Sequence, residues 1–485
     1  MASFYIENFG CRATQADGAA LESQFLERGL ERARAVRDAE IVVLNTCTVT
    51  EGADKDARAS IRRVRRENPE CHILVTGCYA QRAPEELAAL PGVRWVVGNS
   101  HKHLAADIAT SRVASNEGFV PLSRLSSNSH PQATPDIIVG DIFAHTELLA
   151  APVFDAANER TRPNLKVQDG CDNRCSFCVI PSVRGQSRSL PLERVLVEVR
   201  ALVTAGYREV VISGINLGRW GRDLRVAGVG RTLLSVDVDF LPLPKTKSKA
   251  TDKSVRPTRT YDGQRLEDLI RAILVQTPLE KLRISSVEPM DWSDELIEMM
   301  ATSSRIAKHA HVPLQSGSDA VLRRMHRKYR PWHYREKIWK IRDAMPSAAI
   351  GADVMVGFPG ETEAEFFETQ RMIEELPFTY LHVFTYSARP GTPAAGHVNQ
   401  VPVEIARERN HVLRELASAK KCAFMKAQVG RTVEAITLRS GDDNFTEALT
   451  DNYLRMKIPG RLQSNRWIEA RVEHVGVDVL EGQVA

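Results

Sequence analysis

The chain has 485 residues, of which 43% are hydrophobic and 26% charged, and a formal net charge of +4. That length and balance exclude a disordered or fibrous chain and leave room for two or three domains, while the small net charge permits a nucleic-acid partner without demanding one. MASFYIENFG at the start is not a basic stretch followed by an apolar run, and no run of about 18 apolar residues occurs, so neither a signal peptide nor a membrane span is expected and the expected compartment is the cytoplasm.

Residues 1–110 read as an α/β domain. FYIEN (4–8), IVVLNT (41–46), HILVTG (72–77) and RWVVG (94–98) have the continuous apolar character of buried parallel strands. Helix-like runs at 17–30, 50–68 and 83–90 lie between them, so the expected architecture is doubly wound. Cys11, Cys47 and Cys78 each follow one of the first three strands. Carboxyl ends of adjacent parallel strands meet at one sheet edge, so three thiols distant in sequence are expected to converge there. Three thiolates leave one position open, which suits an iron–sulfur cluster better than a closed zinc site. Cys71 stands apart at a strand start, and RRVRR (62–66) is read as a solvated helix face.

Polar, Ser- and Pro-containing residues 111–160 are expected to be a linker. From 161 to 400 strands and helices alternate again, with strands expected at NLKVQD (164–169), EVVISG (209–214), KLRISS (281–286), AHVPLQ (310–315), IGADVMVG (350–357) and LHVFTYS (381–387). Helices are expected at 191–206 and 319–329 among others. Six βα units are too few to close an eight-stranded barrel, so an open partial (β/α)6 barrel is expected, with its functional loops at the strands' carboxyl ends. GCDNRCSFC lies on that face just after the first strand and spaces Cys171, Cys175 and Cys178 as C-x3-C-x2-C. Zinc is the competing ligand, but no fourth protein ligand is evident.

CDNRCSFC resembles the signature of the radical S-adenosylmethionine (SAM) enzymes. The resemblance implies that Cys171, Cys175 and Cys178 hold three irons of a 4Fe–4S cluster, whose fourth iron takes the amino and carboxylate groups of SAM. That arrangement would cleave SAM reductively to a 5′-deoxyadenosyl radical. A three-cysteine α/β domain ahead of such a barrel is similar to the methylthiotransferases. DGCDNRCSFCVIPSVRGQSRS (169–189), SGINLG (213–218), VPLQSGSD (312–319), RMHRKY (324–329), GFPGET (357–362) and YSARPGTPA (386–394) match that family's blocks. The resemblance implies a second 4Fe–4S cluster on Cys11, Cys47 and Cys78, two uses of SAM (one for the methyl group, one for the radical), and an electron donor such as flavodoxin or ferredoxin. Gly214, Asn216, Gln315 and Ser316 are expected near the bound SAM, the glycine through its backbone and the others through polar contacts. Arg184 and Arg188 are candidates for an anion beside the cluster, and Glu361 and Thr362 for a helix start.

NFGCRATQAD (8–17), NTCTVTEGAD (45–54) and VTGCYAQ (75–81) resemble the branch that acts on N6-threonylcarbamoyladenosine in tRNA, although Ala13–Gln15 depart from its usual sequence. Methylthiolation of carbon 2 of that nucleoside, next to the anticodon, is therefore the expected reaction. Alternatives are the isopentenyladenosine branch, the branch that modifies an aspartate of a ribosomal protein, and a non-catalytic iron–sulfur RNA-binding or electron-transfer protein. A helix is expected over 401–426, with Cys422 structural. Short strands TVEAITL, FTEALTD, YLRMKIP and WIEARVEHV in 427–485 predict a small β-barrel that resembles the RNA-binding TRAM module. Arg439, Tyr453, Arg455, Lys457, Arg461 and Arg466 are its expected RNA contacts. Residues 225–260, with Lys245, Lys247, Lys249 and Lys253, depart from the family and read as an irregular insertion. Oligomeric state is not legible in the sequence.

Overall fold

IVVLNT and HILVTG are apolar on both faces, as strands between two helical layers must be. In the computed structural model of the protein, which describes residues 2–113, 135–145, 148, 161–224, 263–442 and 444–485, they lie at the centre of a six-stranded parallel sheet. Its strands are β1 (Ser3–Asn8), β2 (Glu31–Arg32), β3 (Ile41–Thr46), β4 (His72–Gly77), β5 (Val93–Gly98) and β6 (Asp136–Ile138), in spatial order β2-β1-β3-β4-β5-β6. Side chains alternate across β3. Ile41 and Val43 pack with Phe4, Phe25 and Trp95 on one face, and Val42 and Leu44 with Ile61, Val64 and Leu87 on the other. Strand β6 falls inside the segment expected as a linker; three residues are too few for a periodic signal, and pairing with Trp95–Val97 is what makes them a strand. The remainder of 114–160 apart from the described residues, and the 225–260 insertion, lie outside the described residues.

Helix bounds differ from the sequence reading where local chemistry intervenes. The helix expected from residue 17 begins at Arg12, directly after Cys11 (Arg12–Glu27). The run at 83–90 is two short helices, Cys78–Arg82 and Pro84–Ala88, and Asp319–Arg324 stops early because His326 takes φ 57°. Thr50 caps the helix Glu51–Glu67 by accepting from Ala53 N (3.2 Å), with Arg65 and Arg66 in its last turn. Within RRVRR, Arg63 is committed to Glu7 (2.6 Å) and Glu67 (3.3 Å).

The second unit contains β7 (Asn164–Asp169), β8 (Arg188–Ser189), β9 (Glu209–Gly214), β10 (Lys281–Ile284), β11 (His309–His311), β12 (Ala349–Val356) and β13 (Tyr380–Thr385). Two sheets, β10-β9-β7-β8 and β11-β12-β13, meet where Leu282 on β10 pairs in parallel with Ile306. The six parallel strands β7, β9, β10, β11, β12 and β13 form an open partial barrel with one continuous apolar core. Helix Val403–Lys426 then delivers Met425 into the core of a closed five-stranded barrel. Its strands β14 (Thr432–Gly441), β15 (Phe445–Thr450), β16 (Arg455–Pro459), β17 (Trp467–Val475) and β18 (Leu480–Val484) close in the order β14-β15-β16-β18-β17. The fifth strand, β18, was not among the four expected.

Buried ion pairs join the units. Asp17 accepts from Lys102 (2.9 Å) and Arg184 (2.9 Å) and pairs with Lys166, while Asp169 accepts from Lys166 (2.8 Å) and Arg184 (2.9 Å). Arg389 of the YSARPGTPA block reaches Thr48 (3.0 Å) and Asp54, which Arg82 also contacts (3.0 Å). Arg283, wholly buried with Glu209, donates to Asp451 O (3.0 Å) at the foot of the small barrel. The arginine expected to hold an anion, Arg184, is thus an internal counter-ion, and Arg188 donates to His145 O (3.3 Å). Thr362 and Glu365 form a capping box for Glu363–Glu375, and Glu361 is buried against Gly357 N (2.7 Å) and Arg409, so GFPGET is a structural turn and helix start.

Candidate active site

Cys11, Cys47 and Cys78 stand at the carboxyl ends of the adjacent strands β1, β3 and β4. Gly10 brings the first of these loops in. It has φ 95°, and a Cβ there would lie 2.5 Å from Cys47 Cβ. Cys47 and Cys78 are buried and Cys11 is exposed. Burial pushes the Cys47 thiol up to about 12, and the neighbouring Cys78 and Cys11 add to this. Asn99 donates to Cys78 Sγ (3.5 Å) and to Val183 O (2.7 Å), bridging this trio to the loop that carries the other one. Cys71 is a buried core residue in the bend just before β4.

The second trio lies just after β7. Gly170 turns the chain with φ 70°, and Cys171 N donates to Gly185 O (3.1 Å). Ser176 anchors the loop by donating to Arg324 O (2.7 Å), and Phe177 packs edge-on against Phe358. Sulfur atoms receive donors throughout: Asn173 N (3.4 Å) and Asn216 Nδ2 (3.5 Å) to Cys171, and Arg327 Nη1 (3.3 Å) to Cys175. Burial raises the Cys171 thiol and pushes Cys178 up to about 12. Buried thiols of this kind ionise only around a cationic centre, and ligand sulfurs are stabilised by such donors. Both donor sets therefore fit an iron–sulfur cluster with one iron left open. Cys78 packs on Val179 and Val183, which follow Cys178 closely in the chain.

Gly170 makes a testable contact, since a Cβ there would lie 1.9 Å from Gln186 O. Gly170→Ala is expected to destabilise the loop by about 1–3 kcal/mol. The result expected is a lower thermal midpoint and fewer irons retained per chain; unchanged values of both would show that the close approach is unimportant.

A cavity of about 480 Å³ is lined by Cys11 of the first trio and by Asn216, which donates to Cys171 of the second. Cys11, Arg12 and Ala13 form one wall. Ser213, Gly214 and Asn216 after β9 line it beside Cys171, and Gln315, with φ 61°, lines it as well. Gln168 fixes this arrangement: its Oε1 accepts from Asn216 N (2.7 Å), and its Nε2 donates to Gly170 O (2.9 Å). Ser316, expected beside SAM, is not on the cavity wall. It is fully buried, its Oγ lies 3.1 Å from Thr369 Oγ1, and it accepts from Ser318 N (3.2 Å), so it shapes the turn instead.

The cavity floor carries no contiguous motif in the sequence. His309, His311, Asp353, Tyr380 and His382 project from β11, β12 and β13 into it. Their i, i+2 spacing within strands was the available signal. Tyr453, expected as an RNA-stacking ring, instead turns inward: its ring centroid is 4.5 Å from that of His309, and its hydroxyl accepts from Arg12 Nη2 (3.1 Å). All three domains thus meet at this cavity. A second cavity of about 440 Å³ lies beside it, lined by Arg12, Arg162, Asn164, Arg439 and Tyr453 among others. Arg455, Arg461 and Arg466 are exposed on the small barrel, and Lys457 lies over the Phe445 ring (4.7 Å).

Comparison with known proteins agrees with this layout. Residues 3–98 match the family described as Uncharacterized protein family UPF0004, and residues 165–373 match the Radical SAM superfamily. The chain is 34% identical over its whole length to Threonylcarbamoyladenosine tRNA methylthiotransferase MtaB of Bacillus subtilis, covering 96% of that protein. It is 31% identical to tRNA-2-methylthio-N(6)-dimethylallyladenosine synthase of Novosphingobium aromaticivorans, over 90% of this chain and 87% of that one. Among solved structures, the radical SAM methyltransferase TsrM from Kitasatospora setae shares the fold, with a TM-score of 0.53 and 14% identity over 81% of this chain and 77% of that one. With its two matched regions in the same order, its CxxxCxxC loop on the barrel's functional face and full-length identity to such enzymes, the chain belongs to the radical SAM methylthiotransferase family.

Proposed function

We propose that this protein adds a methylthio group to carbon 2 of N6-threonylcarbamoyladenosine next to the anticodon of tRNA, using two 4Fe–4S clusters and SAM. The observation that carries the reading is one cavity lined both by Cys11 and by Asn216, which donates to Cys171 Sγ. Cys171, Cys175 and Cys178 would hold the radical cluster, and Cys11, Cys47 and Cys78 the second. When bound, the first supplies the electron that opens the SAM sulfonium and the second supplies sulfur. Aromatic C–H bonds are strong and not acidic, so a radical route suits the substrate.

The chain's own groups bind and orient. Gly214, Asn216 and Gln315 face the space where SAM would lie, with Asn216 held by Gln168. Arg327 and Asn216 stabilise thiolate at Cys175 and Cys171. The small barrel and the neighbouring basic cavity supply Arg162, Arg439, Arg455, Arg461 and Arg466 for the RNA backbone. A one-electron donor of the flavodoxin or ferredoxin kind completes the scheme. The cytoplasm, where tRNA is modified, is the proposed location; among the described residues no helix is long and apolar enough to cross a membrane.

Mass analysis of tRNA nucleosides from a deletion strain tests this. Loss of the methylthio form of threonylcarbamoyladenosine, with its unmodified precursor accumulating, is the result expected. Loss of the methylthio isopentenyl nucleoside would move the protein to that branch, and an unchanged profile would turn attention to the ribosomal-protein aspartate.

A further inference from the structure

The cavity wall carries a chemical bias. Its aliphatic side chains are Ala13, Ile215 and Pro313, while its floor is built of His309, His311, Asp353, Tyr380 and His382. His309 Nε2 bonds Tyr380 Oη (2.6 Å) and its ring lies nearly parallel to that of Tyr380. His309 and His311 are 4% and 7% exposed; His311 Nε2 lies 3.4 Å from Asp353 Oδ1, and His309 Nδ1 has no hydrogen-bond partner. Imidazole, phenol and carboxylate side chains lining one cavity suit a ligand that is itself polar. Burial and then the cations Arg283 and Arg12 hold His309 neutral, so it offers hydrogen bonds rather than charge.

Charge is also unevenly matched. Arg283 and Arg162 share Glu209, and Arg327 takes Glu288. Among the described residues Arg12 pairs with no carboxylate; its side chain donates to Tyr453 Oη. A half-buried guanidinium beside Cys11, facing a cavity and lacking an anion, is preorganised for a carboxylate that arrives with the substrate.

Resting on the reading proposed above, we infer that Arg12 pairs with a carboxylate on the N6 substituent of the target adenosine, and that His309, His311 and His382 line the polar seat of the rest of that substituent. A branched alkyl substituent in the same place would strand these groups without partners, so the cavity discriminates against it.

The test uses anticodon stem-loops bearing either the N6-threonylcarbamoyl group or its methyl ester, with the full chain reconstituted anaerobically. Wild type is expected to bind the acid about 10–100-fold more tightly than the ester, as for a hydrogen bond to a charged group. Arg12→Gln is expected to lose that preference by weakening the acid alone, and Arg12→Lys to recover part of it. Iron content per chain and SAM cleavage without RNA report whether Arg12→Gln still folds and loads. If Arg12→Gln weakens both stem-loops equally, or if wild type binds both alike, the assignment of Arg12 is overturned. Failure of the function itself looks different: wild type would leave the threonylcarbamoyl stem-loop unmodified under conditions in which it cleaves SAM.

Discussion

Alanine at Cys171, Cys175 or Cys178 is expected to reduce SAM cleavage to 5′-deoxyadenosine to background, whereas alanine at Cys11, Cys47 or Cys78 leaves cleavage measurable and stops methylthio transfer. The contrast follows from the layout. Each trio has its own loops and its own sulfur donors. Losing one of three ligands removes a bond, so its effect exceeds the about 10–100-fold typical of changing a group that only hydrogen-bonds a ligand. Arg327→Ala, which removes the donor to Cys175 Sγ, supplies that smaller comparison. Anaerobic assays that quantify 5′-deoxyadenosine, methylthio product and iron on the same samples read all of these. Wild type is expected to hold roughly eight irons per chain, two groups of four. A chain with roughly four irons, or a Cys47→Ala variant that still transfers the methylthio group, would remove the two-cluster scheme.

Some of this was legible in the sequence because it is written locally. Buried parallel strands are short runs of Val, Ile and Leu, and a cysteine directly after each run lands on one sheet edge whatever the loops do. CDNRCSFC is contained in eight residues. What escaped depends on contacts between distant segments. Arg184 reads as a loop arginine beside cysteines, yet its partner Asp17 lies 167 positions away, and both are buried. Tyr453 belongs by sequence to the small barrel, yet φ 71° at its turn carries the ring into a cavity floored by β11 and β13. His311 and His382 sat unremarked inside expected strands, while His309 lies one residue before the strand expected at 310–315, which forms instead over His309–His311. Their convergence requires the register that pairs His311 with Gly351 and Asp353 with His382. Strand β6 is a strand only because β5 offers it an edge.

Asp17→Asn is expected to cost about 3–5 kcal/mol, the loss that follows when one member of a buried ionic cluster is removed. Burial alone would raise the Asp17 carboxyl, but Lys102, Lys166 and Arg184 outweigh it and hold the group below the usual carboxylate range. With the charge gone, one amide oxygen at position 17 replaces a carboxylate shared by three cations, leaving Lys102 with no anionic partner beside Asn45 Oδ1 (3.3 Å) and Lys166 and Arg184 with Asp169 alone. Asp17 and Lys102 come from the first domain, and Lys166, Asp169 and Arg184 from the second, so the same substitution loosens the joint on which the spacing of the trios depends. A thermal midpoint lower by roughly 6 °C or more is expected for a unit of this size. Glu51→Gln, which breaks a pair with Lys55 in which both side chains are 64% exposed, is the control expected to leave it unchanged. The contribution of Asp17 is complete above the unfolded-state value of about 4 and is lost as the pH falls toward the lower folded-state value, so wild type and Asp17→Asn converge in acid. Equal midpoints at neutral pH would show that the two domains are held together by their apolar contacts, with the buried charges contributing nothing net.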